Sequence, residues 1–423
     1  MEQVIFGGWD NNLHPTDTEY NTLIGGFWWR TTETEVWKLV STDGIIKNLR
    51  AKLNGPPGAG KKYTFTLMVN GAPTALTFDI EDTATSGSDM VHEIDVTGGD
   101  SVTIRCVPTG TPTARYAAWT SMFEGDTAKE SLILGGTRGT FSNVDITYFH
   151  VMGSYGTPLT TENHFRQVAP TDGIIKNFYL WLSDVPGLAG DAYRLTLRKN
   201  GASQTLTITI TTPDRTGNDL VNSFAVAAGD ILTMMIEPLN SPSKTPFGQW
   251  GMTFVSDIDG ESIVLGGTDD PPSVVDTNYN QPVSMTFGFW ELVESNVYQL
   301  GQVCTLKKLY ILLSAAPGAG NKYDFTLRKG GIDSNVVTTV SGAATTGNSG
   351  VLEDTVSNDH YVTLKAAPDD TPDVVDVYWG FVCEEREALG WEGKILGIES
   401  PGSVAKIMGI EIANISKIMG VEG

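Results

Sequence analysis

The string Gly55-Pro-Pro-Gly-Ala-Gly60-Lys61-Lys62 comes within one residue of GxxxxGK[ST], the loop whose backbone amides cradle nucleotide phosphates. That chemistry requires a hydroxyl after the lysine to hold magnesium, and here the position is Lys62. It also requires a following helix whose N-terminal amides face the phosphate, whereas YTFTL, a strand phrase, follows. Related loops at Pro186–Gly190 (PGLAG) and Pro317–Gly320 (PGAG) keep the turn and lose the basic pair. The segment reads as a Pro-Gly turn between strands, and no nucleotide site is expected.

Three cysteines, Cys106, Cys304 and Cys383, are far apart and contain no CxxC, which argues against a disulfide framework or a zinc knuckle. Cys106 aligns with Ile236 and Ala366, and Cys383 with Phe123 and Phe254, so both behave as small hydrophobes. Cys304 takes the turn position of Gly44 and Gly173 and is expected to be partly exposed. The five histidines, His14, His92, His150, His164 and His360, do not cluster. No serine or acid is placed to make a catalytic triad with one of them. Acidic loops at Asp79–Asp89 and Thr268–Asp276 carry the oxygen donors calcium prefers, but without a ligand spacing, and they read as solvated turns. The expectation is a chain without catalytic residues, metal or cofactor. A glycan-degrading enzyme, the remaining catalytic class, would need a cleft with paired carboxylates.

Ten tryptophans are the last chemical signal. Trp119, Trp250 and Trp379 recur at matched positions and mark core. Trp28, Trp29, Trp37 and Trp290 stand in stretches that vary between copies. Aromatic rings on a β-sandwich stack on sugar C–H faces, so Trp28, Trp29 and Trp290 are candidates for contact with a cell-surface glycan or a neighbouring subunit. Strand alternation puts Trp28 and Trp29 on opposite faces.

The elements that position these residues come in three copies. YTFTLMVNG at Tyr63, YRLTLRKNG at Tyr193 and YDFTLRKGG at Tyr323 start 130 residues apart in both steps (193 − 63 and 323 − 193). TDGIIKN occurs at Thr42–Asn48 and Thr171–Asn177, and ESLILGGT at Glu130 recurs as ESIVLGGT at Glu261, with IFGG at Ile5 as a weaker copy. Within each copy, apolar residues alternate with polar ones, as in Tyr63, Phe65, Leu67 and Val69. Asn70-Gly71, Asn200-Gly201 and Gly330-Gly331 supply the positive φ angles of tight hairpins. About eight short strands per ~130 residues, with no helical period, predict an all-β chain of three tandem antiparallel, jelly-roll-like β-sandwiches. A unit of ~130 residues is large enough to fold alone. The repeat phase places the sandwiches at 1–126, 127–259 and 260–388, followed by a tail at 389–423.

The 423 residues carry a formal charge of −22, with 47 Gly and 18% charged residues. So acidic a surface repels phosphate and argues against nucleic acid and anionic membranes as partners. No apolar run is long enough to span a bilayer, and the start MEQVIFGGWD lacks the features of a signal peptide, so no membrane insertion is expected.

The tail has its own short repeat: KILGI at Lys394, KIMGI at Lys406 and KIMGV at Lys417. Its apolar residues Ile395, Ile398, Ile407, Met408, Ile410, Ile415, Ile418, Met419 and Val421 must be buried somewhere. They are read as a docking segment for a partner or for further copies of the chain, with a strap over the third sandwich as the alternative. The recurring glycines disfavour an amphipathic membrane helix.

A strand phrase of the type PGAGxxYxFTLRxNG, a Gly-Ser/Asn-Asp step, a Gly-Asp turn and a closing aromatic strand together resemble β-sandwich repeats in structural proteins of tailed bacteriophages. The tail is similar to short Gly-Val/Ile repeats that end phage minor structural proteins. The third copy departs where TDGIIKN becomes CTLKKLY at Cys304–Tyr310. The resemblance spans essentially the whole chain and its motifs are structural. It implies a fibre, decoration or minor structural protein located in a virion or outside the cell, anchored by its tail to other virion or appendage proteins or to itself. Three sandwiches in a row are the expected arrangement, with a trimer mimicked within one chain left open. The second reading is an extracellular carbohydrate-binding or adhesion protein.

Overall fold

The computed structural model describes residues 1–26, 28–154, 156–283 and 289–386, and the backbone of 394–395, 398–399, 406–407 and 410–411. Residues 1–385 form one compact unit and residues 386–423 a second.

The first sandwich is built from β1 (Glu2–Asn12), β2 (Glu19–Asn21), β3 (Lys38–Leu39), β4 (Gly44–Leu53), β5 (Gly58–Val69), β6 (Ala72–Asp82), β7 (Ser86–Val96), β8 (Ser101–Thr109) and β9 (Tyr116–Gly125). One sheet runs β1-β9-β4-β7. The other runs β2-β8-β5-β6, with β3 also paired to β8 beyond the end of β2. Counting β2 and β3 as one interrupted strand, this is the strand order of a jelly roll. The second copy repeats it, with Glu130–Gly136, Gly248–Ser256, Gly173–Leu182 and Thr216–Val226 in the first sheet. In the third copy the same order holds, with the β7 equivalent split into Thr346–Asn348 and Glu353–Val356. The chain is all-β, as its alternation predicts. The hairpin turns also take the predicted backbone, with φ of 52° at Asn70 and 75° at Gly71.

One repeated motif has a direct steric cause. Gly7, Gly135 and Gly266 of the opening strands pair with Trp119, Trp250 and Trp379 of the closing strands. A Cβ on any of the three glycines would lie 2.0–2.3 Å from the indole that crosses it. Each indole N–H then donates to a carbonyl of its own sandwich: Leu23 at 3.2 Å, Val151 at 2.9 Å and Pro282 at 2.8 Å. The first glycine of each opening-strand Gly-Gly pair and the closing Trp are thus two halves of one packing unit.

The three sandwiches are not strung in a row. The opening strands β1, Glu130–Gly136 and Glu261–Thr268 each touch the other two, and their apolar residues join one core cluster running through all three copies. The Gln3 side chain exchanges two hydrogen bonds with the backbone of Leu132, at 2.9 and 2.7 Å. Around this centre the copies contact one another cyclically. Thr42 of the first donates to the buried Glu130 that opens the second. Thr171 of the second donates to the buried Glu261 that opens the third, at 2.6 Å. Gln302, at the same position in the third, donates to the Asn48 carbonyl of the first at 2.9 Å, and Leu300 pairs with Gly7 of β1. The result is a closed body with pseudo-threefold symmetry, which explains why residues 1–385 form a single unit. Repeat spacing alone cannot distinguish a row from a ring, because both use the same strands.

Candidate functional site

At each junction, a residue on the neighbour's β4-type strand meets the turn that precedes the β8-type strand. At the first junction Tyr179 lies against Gly98 and Gly99, and a Cβ at Gly98 would sit 2.7 Å from the tyrosine oxygen. At the second, Tyr310 lies against Gly229. At the third, Arg50 forms an ion pair with Asp359 at 2.9 Å.

The position two residues further along these strands separates the junctions further. Trp181 meets Trp37 across the first junction, with ring centroids 5.2 Å apart, and is backed by Phe247 at 5.9 Å. Their equivalents are Leu312 and Arg166 at the second junction, and Lys52 and Tyr298 at the third. Between Trp37, Tyr179 and Trp181 lies a cleft of about 450 Å³, floored by Leu39 and Leu180 and edged by Ser101, Thr216 and Asn218.

Ser101 opens this cleft. Its equivalents are Ile231 and Tyr361. Ile231 packs with Tyr310 onto the Val168, Leu312 and Tyr378 cluster. Tyr361 stacks on Tyr298 with centroids 4.1 Å apart, beneath the Lys52 ammonium at 4.6 Å. A small side chain leaves open at the first junction a space that large ones fill at the other two. The lining is uncharged. Burial, and to a lesser degree the nearby Asp43 carboxylate, raise the Tyr179 pKa and keep its hydroxyl protonated. The nearby Asp100 is engaged by the Asn70 amide at 2.6 Å and the Thr97 N–H at 2.8 Å.

The tryptophans offered as contact candidates, Trp28, Trp29 and Trp290, lie elsewhere. Trp29 is 5% exposed, packed on Trp119 at 5.2 Å and Phe65 at 6.3 Å. Trp290 is 8% exposed and packs on Trp379 at 6.0 Å. Both fill the interior of their own sandwiches and present no ring face to a sugar. Trp28 is 49% exposed, with the Arg30 guanidinium over its ring at 5.7 Å. The signal that could have found the cleft is departure from the repeat: Trp37, Trp181 and Ser101 each differ from both counterparts.

The remaining candidates have structural partners. The Gly55–Lys62 string runs into β5, where Lys62 pairs with Asp79 at 2.6 Å and Asp82 accepts the Gly60 N–H at 2.6 Å. Asp89 accepts hydrogen bonds from Val91, His92 and Thr77. Burial acts to raise its pKa, but these bonds outweigh it and hold the carboxyl at about 2. His150 is buried against Phe149 and Phe165, and burial lowers its pKa to about 3. Cys304 is buried, contrary to the expectation of partial exposure. At Gly44 and Gly173 a Cβ would strike the rings of Phe123 and Phe254. Beside Cys304 that place is taken by Cys383, which pairs with Leu306 and leaves room for an inward side chain.

Part of the Thr268–Asp276 acidic loop joins a carboxylate group where the second and third sandwiches meet. Asp269 pairs with His164 at 3.2 Å and Asp376 accepts the Tyr378 hydroxyl at 3.3 Å. Burial raises all three carboxyl pKa values of Asp269, Asp270 and Asp376, and repulsion from Asp376 adds to the rise at Asp269 and Asp270. Among the described residues no group of three or more His, Cys, Asp or Glu is arranged to hold a metal ion. No helix among them is long and apolar enough to cross a membrane.

In the C-terminal unit, Lys394-Ile395 pairs with Ile398-Glu399 and Lys406-Ile407 with Ile410-Glu411, each antiparallel. The two pairs repeat one register, with Ile opposite Ile and Lys opposite Glu. Lys417–Glu422 carries the same residue pattern. Met408, Ile415, Ile418, Met419 and Val421 lie outside the described residues.

No protein-family model matches the chain, and no curated protein matches it.

Proposed function

We propose that the chain is a non-catalytic structural component of a virion or an extracellular appendage, of the fibre, decoration or minor structural type. Residues 1–388 form its head and residues 389–423 its anchor. The observation that carries this reading is the closure of three jelly rolls into one pseudo-threefold body. Closure uses the inner edges of all three sandwiches for packing and leaves an acidic outer skin, which resists non-specific sticking. A body with three near-equivalent sides suits a place on a symmetric assembly. The resemblance of the strand phrases and the tail repeat to phage structural proteins supports the same reading. The partners are then other proteins of the particle, or further copies of the chain, met through the Lys-Ile-x-Gly-Ile/Val-Glu repeats.

The test is to compare the full chain with residues 1–388 for co-sedimentation with particles or appendages purified from the producing cells. The full chain is expected to co-sediment. The truncated chain is expected to remain in the supernatant with an unchanged melting temperature. Equal co-sedimentation of both would overturn the anchor.

A further inference from the structure

We propose that the cleft between the first and second sandwiches is a binding site for a neutral glycan. The assembly role does not depend on it, since a chain that binds no sugar could still be incorporated into a particle. Three features of the cleft point to this chemistry.

The first is the aromatic wall. Trp37, Tyr179 and Trp181 are each partly exposed and line one space of about 450 Å³, within the range of about 300–1,000 Å³ usual for small-ligand sites. Partly exposed rings of this kind offer π faces to the C–H face of a pyranose. The second is the polar edge. The hydroxyls of Ser101, Thr216 and Tyr179 and the amide of Asn218 line the cleft without a side-chain hydrogen bond to the described residues. Hydroxyls and an amide that both donate and accept match the hydroxyl pattern of a sugar. The third is charge. The lining holds no carboxylate and no cation, and the chain's formal charge is −22. A sialylated or uronate sugar would be repelled and would find no ion partner, so the ligand class is neutral hexoses and N-acetylhexosamines.

The other junctions act as internal controls, because Ile231 and Tyr361 stand where Ser101 leaves the cleft open. The test uses the full chain on an array of neutral and acidic oligosaccharides, followed by titration of the retained sugars against indole fluorescence. Four variants are compared: S101Y, W37A, W181A and, as a control on the exposed tryptophan elsewhere, W28A. The expected result is retention of at least one neutral glycan, with affinity reduced at least tenfold in S101Y, W37A and W181A and unchanged in W28A. S101Y carries the residue of the third copy, and S101I, carrying that of the second, replaces it if melting shows S101Y misfolded. Retention of no neutral glycan overturns the proposal. So does a preference for acidic sugars, or binding that survives filling of the cleft.

Discussion

Trp37 of the first sandwich and Trp181 of the second meet with ring centroids 5.2 Å apart and planes inclined at 58°. A pair of this geometry is worth about 0.5–1.5 kcal/mol beyond the area it buries. It joins two sandwiches at positions where the other junctions use Arg166 with Leu312 and Tyr298 with Lys52. The same two rings wall the cleft, so the contact that holds this junction together also gives it a surface unlike its counterparts.

Beside Trp37, Lys38 is completely buried, and its ammonium donates to the Gln249 amide oxygen at 2.6 Å and the Trp37 carbonyl at 3.0 Å. Burial lowers its pKa from 10.5 to about 7. The unfolded chain therefore holds this proton up to about pH 10.5 while the folded chain releases it near 7, and stability from this group rises with pH between those values. The other two copies carry Gln167 and Gln299 at this position. K38Q is expected to stabilise the protein at pH 6 by at least ~1 kcal/mol and to flatten the rise above pH 7. Thermal melts from pH 6 to 10 check both. A lower melting temperature with an unchanged profile would show that the lysine is well accommodated.

Gly135 faces the Trp250 indole, where a Cβ would lie 2.0 Å from Nε1 and 2.3 Å from the Val151 carbonyl oxygen. One contact is a packed ring and the other is backbone, so neither yields easily. G135A is expected to cost about 3 kcal/mol or more in denaturant unfolding. Adding W250F removes the indole nitrogen and should recover part of that loss.

Glu261 is fully buried and is held by Lys308 at 2.6 Å, Lys307 at 3.0 Å and Thr171 at 2.6 Å. Burial works to raise its pKa, but the Lys308, Thr171 and Lys307 contacts prevail and place it below the ordinary 4.5. A depressed carboxyl contributes stability above its unfolded pKa and loses it as pH falls through the folded value. E261Q should cost about 3 kcal/mol at pH 7, because Lys308 loses its carboxylate and Lys307 keeps only Glu384. Its unfolding free energy should also fall less steeply than wild type below about pH 4.5. Parallel acid-unfolding slopes would contradict this assignment.

The jelly-roll copies were legible in the sequence because their determinants recur. The alternation at Tyr63, Tyr193 and Tyr323, the tight hairpin turns (Asn-Gly twice and Gly-Gly once) and the closing tryptophans each appear three times at near-constant spacing. Closure was not legible, because it rests on single long-range contacts. Thr42 reaches Glu130 and Lys38 reaches Gln249, 88 and 211 residues away, and no local period reports such pairs. The cleft was hidden for a different reason. It depends on missing bulk at Ser101, and a small polar residue at a strand start is unremarkable until it is set beside Ile231 and Tyr361. Cys304 shows the same limit: alignment with two glycines suggested an exposed turn, whereas the deciding fact is the replacement of Phe by Cys383 across the sheet.

The return of the third sandwich to the first is the central claim, and Lys52 offers the most direct measurement of it. Its ammonium lies 3.4 Å from the backbone carbonyl of Asp359, whose carboxylate pairs with Arg50. Zero-length carbodiimide cross-linking of the monomeric chain, followed by peptide mass spectrometry, should recover a Lys52–Asp359 link across 307 residues. Absence of that link, or its appearance only in cross-linked dimers, would mean that the three sandwiches do not close within one chain.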